Sequence, residues 1–448
     1  MGLTGIQIFK LLPKTNCGEC GVPTCLAFAM NLASGKAELD KCPYVSEEAK
    51  AQLSEASAPP IRPLKVGVGE TEAKMGGETV MYRHEKTFYS PPGFAAVITD
   101  DTDPKEVEAK LARFVSLQFI RVGLNLRPEL VACKNVSGDA GKFTALVKTV
   151  LDKSDMGLVL MTDKVDVMKA ALALCADQRP LLYAATAANC EAMGALAKET
   201  NCPLAVKADS VADLIPLTEK LTGMGLKDLV LDPGSRTVKQ AFEDEVAIRR
   251  APLMAGNKAL GFPTITFPCE MADNIFTETM VAGMFVSKYG GMMVMSDFVG
   301  ESIFPLLVQR LNIFTDPQRP MTVVQGIYDI NGPDENSPVL ITTNFSLTYF
   351  IVTGEIEASR VPSWLCVMDT EGLSVMTAWA AGKFVGDAVG AFIKKSGIDS
   401  KVKHRTLIIP GYAASISGDL EEELPGWSVQ IGPREAAHIT KFLKTWKA

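Results

Sequence analysis

Histidine is nearly absent: His84, His404 and His438 are the only three among 448 residues. No two lie close in sequence, and His84-Glu85 lacks the second histidine of an HExxH zinc motif. Each reads as a satisfied or exposed side chain, not as a ligand or catalytic base. Other absences close off whole classes of function. No strand candidate is followed by GxGxxG and no GxxxxGK[ST] occurs, which disfavours a dinucleotide or a nucleoside triphosphate. Charged residues make up 22 %, the formal net charge is −7 and no basic block exists, so nucleic acid is not an expected partner. No apolar run reaches membrane-spanning length. The opening MGLTGIQIFKLLPKTNC has neither a charged n-region nor a small-residue cleavage site. The expectation is a cytoplasmic chain without signal peptide or membrane contact. Aromatics are scarce at 7 %, while Ala, Gly, Val and Met are plentiful, which suits helices lying close on a sheet.

What is present is cysteine, ten in all. Cys133, Cys175, Cys190, Cys202, Cys269 and Cys366 stand singly in apolar surroundings and read as buried thiols of a reducing compartment. The other four crowd one short segment, Cys17-Gly18-Glu19-Cys20-Gly21-Val22-Pro23-Thr24-Cys25 and Cys42-Pro43. A four-thiolate set selects an iron–sulfur cluster or zinc. Zinc sites of this size more often use two short CxxC pairs, and the second pair is missing here. The Cys-Pro ending is that of ferredoxin ligand runs, so the spacing favours a [4Fe–4S] cluster on Cys17, Cys20, Cys25 and Cys42. Gly18 and Gly21 permit positive φ, which lets backbone N–H groups turn toward cluster sulfurs.

The length allows two or three domains. Helical apolar spacing over Gly5–Leu12 and Cys25–Ala37 flanks the cysteines, and 46–53 reads as a short acidic helix. A Pro-rich linker from Ser54 to Pro60 follows, so the first domain is set at 1–58, too small to own much core without its cluster. From 59 to 320 apolar β-branched runs alternate with helical stretches. Candidate strands are 94–99, 119–123, 130–134, 157–161, 180–184, 203–207, 228–232, 264–268 and 290–296, the last with Met292–Met295 as core. Continuous apolar strands between helices mean a parallel sheet, and eight or so units at this length fit a TIM barrel better than the alternative, an open doubly wound sheet. Asp232-Pro233-Gly234 ends one strand as a turn or as part of a site. Beyond the helix-breaking patch 315–320, the strands 339–343, 364–368, 406–410 and 427–431 alternate with helices 347–358, 374–395, 413–424 and 433–446. This is expected to be a small parallel, doubly wound α/β domain over 321–448. Gly382, Gly386 and Gly390 would line one helical face against its sheet, and Glu421–Glu423 a solvated face.

Ligands of such sheets bind beyond the C-terminal strand ends. Here these are Thr343, Asn344, Ser346, Leu347 and Thr348; Thr370, Glu371, Gly372, Leu373, Ser374 and Val375; Gly411, Tyr412, Ala413 and Ala414; and Gly432, Pro433 and Arg434. The rim is rich in hydroxyls, glycines and helix starts, with no acid–base pair and no nucleophile–histidine pair. It suits holding a large polar-edged cofactor, with no catalytic residue of its own.

The cysteine module, a barrel and a C-terminal Rossmann-like domain in this order resemble, end to end, the large (gamma) subunit family of the corrinoid iron–sulfur protein of acetyl-CoA synthesis. The resemblance implies a cobamide held by the C-terminal domain at the rim just named, and a heterodimer with a smaller (delta) barrel subunit. Methyl groups would pass from a methyltetrahydrofolate:corrinoid methyltransferase to CO dehydrogenase/acetyl-CoA synthase. A donor such as ferredoxin would feed the cluster, which reactivates oxidised cobalt. The Asp-x-His-x-x-Gly signature of many corrinoid domains is absent, which in this family goes with a base-off corrinoid lacking a protein histidine ligand. Two other readings are a flavin- or cluster-based electron-transfer subunit and a structural subunit with a storage cluster.

Overall fold

The computed structural model describes residues 5–33, 37, 39–46, 49–50, 53, 59–121, 124–316 and 320–447. The chain divides into two compact units, Met1–Gln118 with Arg127–Phe314, and Phe119–Leu126 with Thr315–Ala448.

In the first unit, helices α1 (Gly5–Leu11) and α2 (Cys25–Ala33) build a small core of their own. Ile8, Leu12, Phe28, Ala29, Val45 and Leu53 are buried there together with Cys25 and Cys42. The expected continuation of α2 through 34–36, most of the 46–53 helix and the linker residues 54–58 lie outside the described residues.

Eight parallel strands follow: β1 (Gly93–Thr99), β2 (Leu130–Lys134), β3 (Gly157–Met161), β4 (Leu181–Ala185), β5 (Leu204–Lys207), β6 (Leu229–Asp232), β7 (Ile265–Thr266) and β8 (Met292–Met295). Their order is β6-β5-β4-β3-β2-β1-β8-β7. A parallel bridge between Leu231 and Thr264 joins the two ends, with Leu231 N–H donating to Pro263 O at 2.8 Å. The result is a TIM barrel. Its strands are buried on both faces, which is why they read as unbroken apolar runs rather than alternations. Leu130, Val159, Leu181 and Val230, each at 0 % exposure, contribute about 1.5–3 kcal/mol apiece by burial. A hairpin of Leu64–Val66 and Ala73–Met75 adds Leu64, Val66, Ala73 and Met75 to the same core. It escaped the sequence reading because three-residue strands carry almost no periodic signal.

The candidate strand 119–123 is not a barrel strand. Phe119–Arg121 pairs antiparallel with Leu124–Leu126 and falls in the second unit; 122 and 123 lie outside the described residues. Ile120 is 86 % exposed, so its β-branched character serves a surface hairpin and not a buried ladder.

The second unit is built on a five-stranded sheet of β9 (Gly326–Ile330), β10 (Val339–Thr343), β11 (Ser363–Met368), β12 (Thr406–Ile409) and β13 (Ser428–Ile431), in the order β9-β11-β10-β12-β13. Four strands are parallel, but β9 pairs antiparallel with β11, so the sheet is mixed and not wholly parallel. Helices cover both faces. Val339, Ile341 and Cys366 pack with Ala378 of α4 (Val375–Ala380), Val389 and Ile393 of α5 (Gly386–Ser396) and Leu420 of α6 (Ser417–Glu423). Leu340, Leu365 and Ile408 face the other way, onto Ile356 of α3 (Ser346–Ser359) and Ile439 and Leu443 of α7 (Ile439–Thr445).

The single helix expected over 374–395 is two. Gly382 takes φ +70° and breaks it, a left-handed value that costs glycine little. Gly386 and Gly390 then pack on α6 and not on the sheet, because a Cβ at either would meet Asp419 or Glu423 within 2.8 Å. The acidic run of α6 is only partly a solvated face: Glu423 pairs with Lys394 at 3.0 Å.

Candidate functional site

In the cysteine module all four thiols are free: Cys17 exposed, Cys20 half-buried, Cys25 and Cys42 buried. Thr24 opens α2, its hydroxyl accepting from Ala27 N–H at 3.1 Å. Asn16 clasps Cys25 from two sides. Its Oδ1 accepts the Cys25 N–H at 2.8 Å, and its own N–H donates to Cys25 Sγ at 3.4 Å. The intervening backbone turns through Asn16 (φ +50°), Gly18 (φ +79°) and Gly21 (φ +83°). The N–H at sulfur thus comes from Asn16, which sequence reasoning had not singled out. Tyr44 OH donates to Glu19 Oε1 at 2.8 Å, and that bond and charge, with Cys17 and Cys42 nearby, raise the tyrosine pKa. Among the described residues no three His, Cys, Asp or Glu side chains are gathered as a metal set. What fits a cluster is the donor chemistry: four unpaired thiols in one short segment, three of them on one small core, with a backbone N–H already at sulfur.

The C-terminal edge of the second unit's sheet has a different character. From β10 the chain passes to β11 on one side and β12 on the other, so the strand order reverses between β10 and β12. A cavity of about 150 Å³ opens there. Its walls are apolar, from Leu340, Val352, Ile408 and Ile439, and its polar margin carries Thr342, Thr348, Tyr412 and Arg434. Of the predicted rim residues, Thr348, Val375, Tyr412, Gly432, Pro433 and Arg434 line it together, drawn from all four strand ends. Gly411 makes the convergence of the last two ends possible: a Cβ would lie 2.6 Å from Gly432 O and 2.7 Å from Arg434 N. Tyr412 OH donates to Glu435 Oε1 at 2.9 Å, and that carboxylate raises its pKa.

Other predicted rim residues face elsewhere. Asn344 and Thr370 are buried against one another, with Thr370 N–H donating to Asn344 Oδ1 at 3.0 Å. Ala413 belongs to the core beneath α4 and α5. Leu347 is exposed on α3. Three hydroxyls at this strand end are buried without any hydrogen-bond partner: Thr342, Thr343 and Ser346. Thr342, at the strand end expected to bind ligand, lines the cavity, and Leu340, Val352 and Ile408 were missed as cavity residues. Period-two alternation from Leu340 to Thr342, and the one-turn spacing of Thr348 and Val352, were the available signals.

The mouth of the barrel is polar too, but self-contained. Tyr183 OH donates to Asp232 Oδ2 at 2.6 Å, and Arg236 reaches the same carboxylate at 2.8 and 3.1 Å. Arg236 Nε also donates to Glu270 Oε2 at 2.5 Å, and its guanidinium lies 4.3 Å over the Phe267 ring. Burial, then Asp232, push the Tyr183 pKa well up. Asp232 Oδ1 accepts from Gly234 N–H at 2.8 Å, so Asp232-Pro233-Gly234 is a capped turn.

Comparison with known proteins now bears on both sites. A family model described as "CO dehydrogenase/acetyl-CoA synthase delta subunit" matches residues 63–443, and one described as "Putative Fe-S cluster" matches 12–44. Relatives align from end to end. The "Corrinoid/iron-sulfur protein large subunit" of Moorella thermoacetica is 47 % identical over 99 % of both chains. The "Acetyl-CoA decarbonylase/synthase complex subunit gamma" of Methanopyrus kandleri is 37 % identical over 99 % of this chain and 97 % of its own. That of Methanothermobacter thermautotrophicus is 35 % identical over 99 % of both. The chain belongs to the corrinoid/iron-sulfur protein large (gamma) subunit family.

For a member of this family the histidines matter by where they are. His404 precedes β12, at the opposite edge of the sheet from the cavity; its Nε2 lies 2.8 Å from Ser337 O and its Nδ1 accepts from Thr406 N–H at 3.2 Å. His84 stacks on Tyr82 in the first unit. Among the described residues, no helix of this family member is long and apolar enough to cross a membrane.

Proposed function

We propose that this chain is the methyl-carrier subunit of acetyl-CoA synthesis, holding a cobamide at the C-terminal edge of the β9–β13 sheet and a [4Fe–4S] cluster on Cys17, Cys20, Cys25 and Cys42. The observation that carries the reading is the buried, unpartnered hydroxyls of Thr342, Thr343 and Ser346 beside an apolar cavity at the strand-order reversal. Leaving a buried hydroxyl unsatisfied costs about 1–3 kcal/mol, and a ligand bordered by amides and a phosphate offsets that cost. When bound, cobalt supplies the nucleophile that takes and yields the methyl group, and the cluster supplies the low-potential electron that restores it.

Thr348, Tyr412 and Arg434 would hold the polar periphery of the ring and tail, with the unpartnered Ser346 hydroxyl nearby in the chain, while Gly432 and Pro433 would let backbone come close. The apolar walls Leu340, Val352, Ile408 and Ile439 would hold an apolar part of the cofactor, such as the base of its nucleotide tail. His404 is engaged with Ser337 and Thr406, which supports a corrinoid that does not take His404 as a ligand. The working domains are 1–58 for the cluster, 59–320 for the barrel and 321–448 for the corrinoid. The partners are a smaller delta subunit in a heterodimer, a methyltetrahydrofolate:corrinoid methyltransferase, CO dehydrogenase/acetyl-CoA synthase and a ferredoxin-like donor, all in the cytoplasm.

Anaerobic preparation followed by metal, sulfide and absorbance analysis tests this. The expected result is about four iron, four sulfide and one corrinoid per chain. Zinc in the cysteine module, or a flavin spectrum without cobalt, would overturn it.

A further inference from the structure

The loop from Asp369 to Ser374 joins β11 to α4 and ends beside Val375, a wall of the cavity. Two successive residues of it, Glu371 (φ +57°) and Gly372 (φ +77°), are left-handed. For a glutamate that conformation is costly, and it persists only where surrounding contacts hold it. One side chain supplies four of them. Asn344 Oδ1 accepts from Thr370 N–H at 3.0 Å, Thr370 Oγ1 at 3.2 Å and Gly372 N–H at 3.1 Å. Its Nδ2 donates to Asp369 Oδ1 at 2.8 Å, and that carboxylate accepts Glu371 N–H at 2.9 Å. Asn344 is 4 % exposed and sits between the unpartnered hydroxyls of Thr343 and Ser346. Both ends of its amide are therefore committed to the neighbouring loop.

We infer that Asn344 is a positioning residue for the corrinoid site: it does not touch the ligand but locks two adjacent strand ends into a preformed wall. This rests on the function proposed above. Preorganisation lowers the ordering cost of binding, so loosening the loop should weaken the corrinoid more than it weakens the fold. An amide is needed because Oδ1 must accept while Nδ2 donates to a carboxylate. Asn344→Asp sets two carboxylates face to face. Adding Asp369→Asn to it removes the charge repulsion and restores the side-chain contact with its direction reversed, but the atom that then donates can no longer accept Glu371 N–H.

The test is cob(II)alamin affinity of the full chain, by titration under anaerobic conditions, with induced circular dichroism of the bound corrinoid and the apo-protein melting temperature read in parallel. We expect Asn344→Asp to weaken binding about tenfold or more and to alter the induced spectrum. The Asn344→Asp/Asp369→Asn double variant should return both part of the way toward the parent. Unchanged affinity in the single variant overturns the inference. So does a double variant whose melting temperature recovers while its affinity does not, because that marks direct contact by Asn344. A parent chain that fails to bind cob(II)alamin sinks the underlying function instead.

Discussion

Two strand-end rims of this molecule answer the same problem in opposite ways. At the mouth of the barrel, Asp232 is 1 % exposed and fully partnered, by Tyr183, Arg236 and the turn at Gly234. At the edge of the second unit's sheet, the hydroxyls of Thr342, Thr343 and Ser346 are as deeply buried and have no partner. Both are places where α/β proteins put ligands. The first has spent these polar groups on one another. The second keeps them unspent beside an apolar cavity, the arrangement of a binding site. Polar residues at a strand end therefore say little until their partners are known.

The largest effect should come from breaking the closed rim. Arg236→Met leaves Asp232 buried without its cation and should destabilise the barrel by about 3–5 kcal/mol. Thermal unfolding would show it, while cob(II)alamin affinity of the folded fraction should hold. If affinity fell with stability, the barrel mouth would be part of the corrinoid site and the contrast would fail.

Filling the open rim should do the reverse. Thr348→Trp places an indole in the cavity and should weaken corrinoid binding about a hundredfold, ~2.7 kcal/mol, with little change in the apo melting temperature. Retained affinity would mean that the ligand sits elsewhere.

A smaller effect separates another buried acid of the barrel. Glu245 is 2 % exposed, and burial pushes its pKa up to about 8, Thr264 pulling the other way. Its Oε1 has no partner. From the ordinary value of 4.5 up to about 8, the folded chain keeps a proton that the unfolded chain has lost, so stability falls as pH rises through that window. Glu245→Gln should flatten this slope and, at pH 8, raise stability by at least about 1 kcal/mol. An unchanged pH profile of denaturant unfolding would show the acid to be better solvated than its burial implies.

The smallest change is the most pointed. Thr342→Val removes one unpartnered hydroxyl at constant shape and should stabilise the apo chain by about 1 kcal/mol while weakening corrinoid binding. The two shifts must have opposite signs; equal effects on both would make the hydroxyl merely structural.

Much of this was legible in the sequence, for reasons that differ by element. Barrel strands such as Leu130–Lys134 and Gly157–Met161 stand where they were expected because burial on both faces leaves an unbroken apolar run. The spacing of the cysteines pointed to an iron–sulfur module where a family model described as "Putative Fe-S cluster" matches residues 12–44. Strand β9 was invisible because an antiparallel edge strand of half-buried residues, Gly326–Ile330, has neither a long run nor clean alternation. The break at Gly382 was hidden by good helix formers on both sides. At the rim, the sequence marked the right strand ends but not which side chains face the cavity. Asn344 and Thr370 were grouped with Thr348 and Arg434 because residue type alone cannot tell a side chain that holds a loop from one that meets a ligand.

The central claim is that this edge binds a corrinoid with its lower face free of histidine and of its own base. Electron paramagnetic resonance of the full chain loaded with cob(II)alamin measures that directly. The account predicts a cobalt(II) spectrum without nitrogen superhyperfine splitting in the parent chain, and a smaller protein-bound signal in Thr348→Trp at the same concentrations. Nitrogen splitting in the parent, from a histidine or from the tail's base, would contradict it.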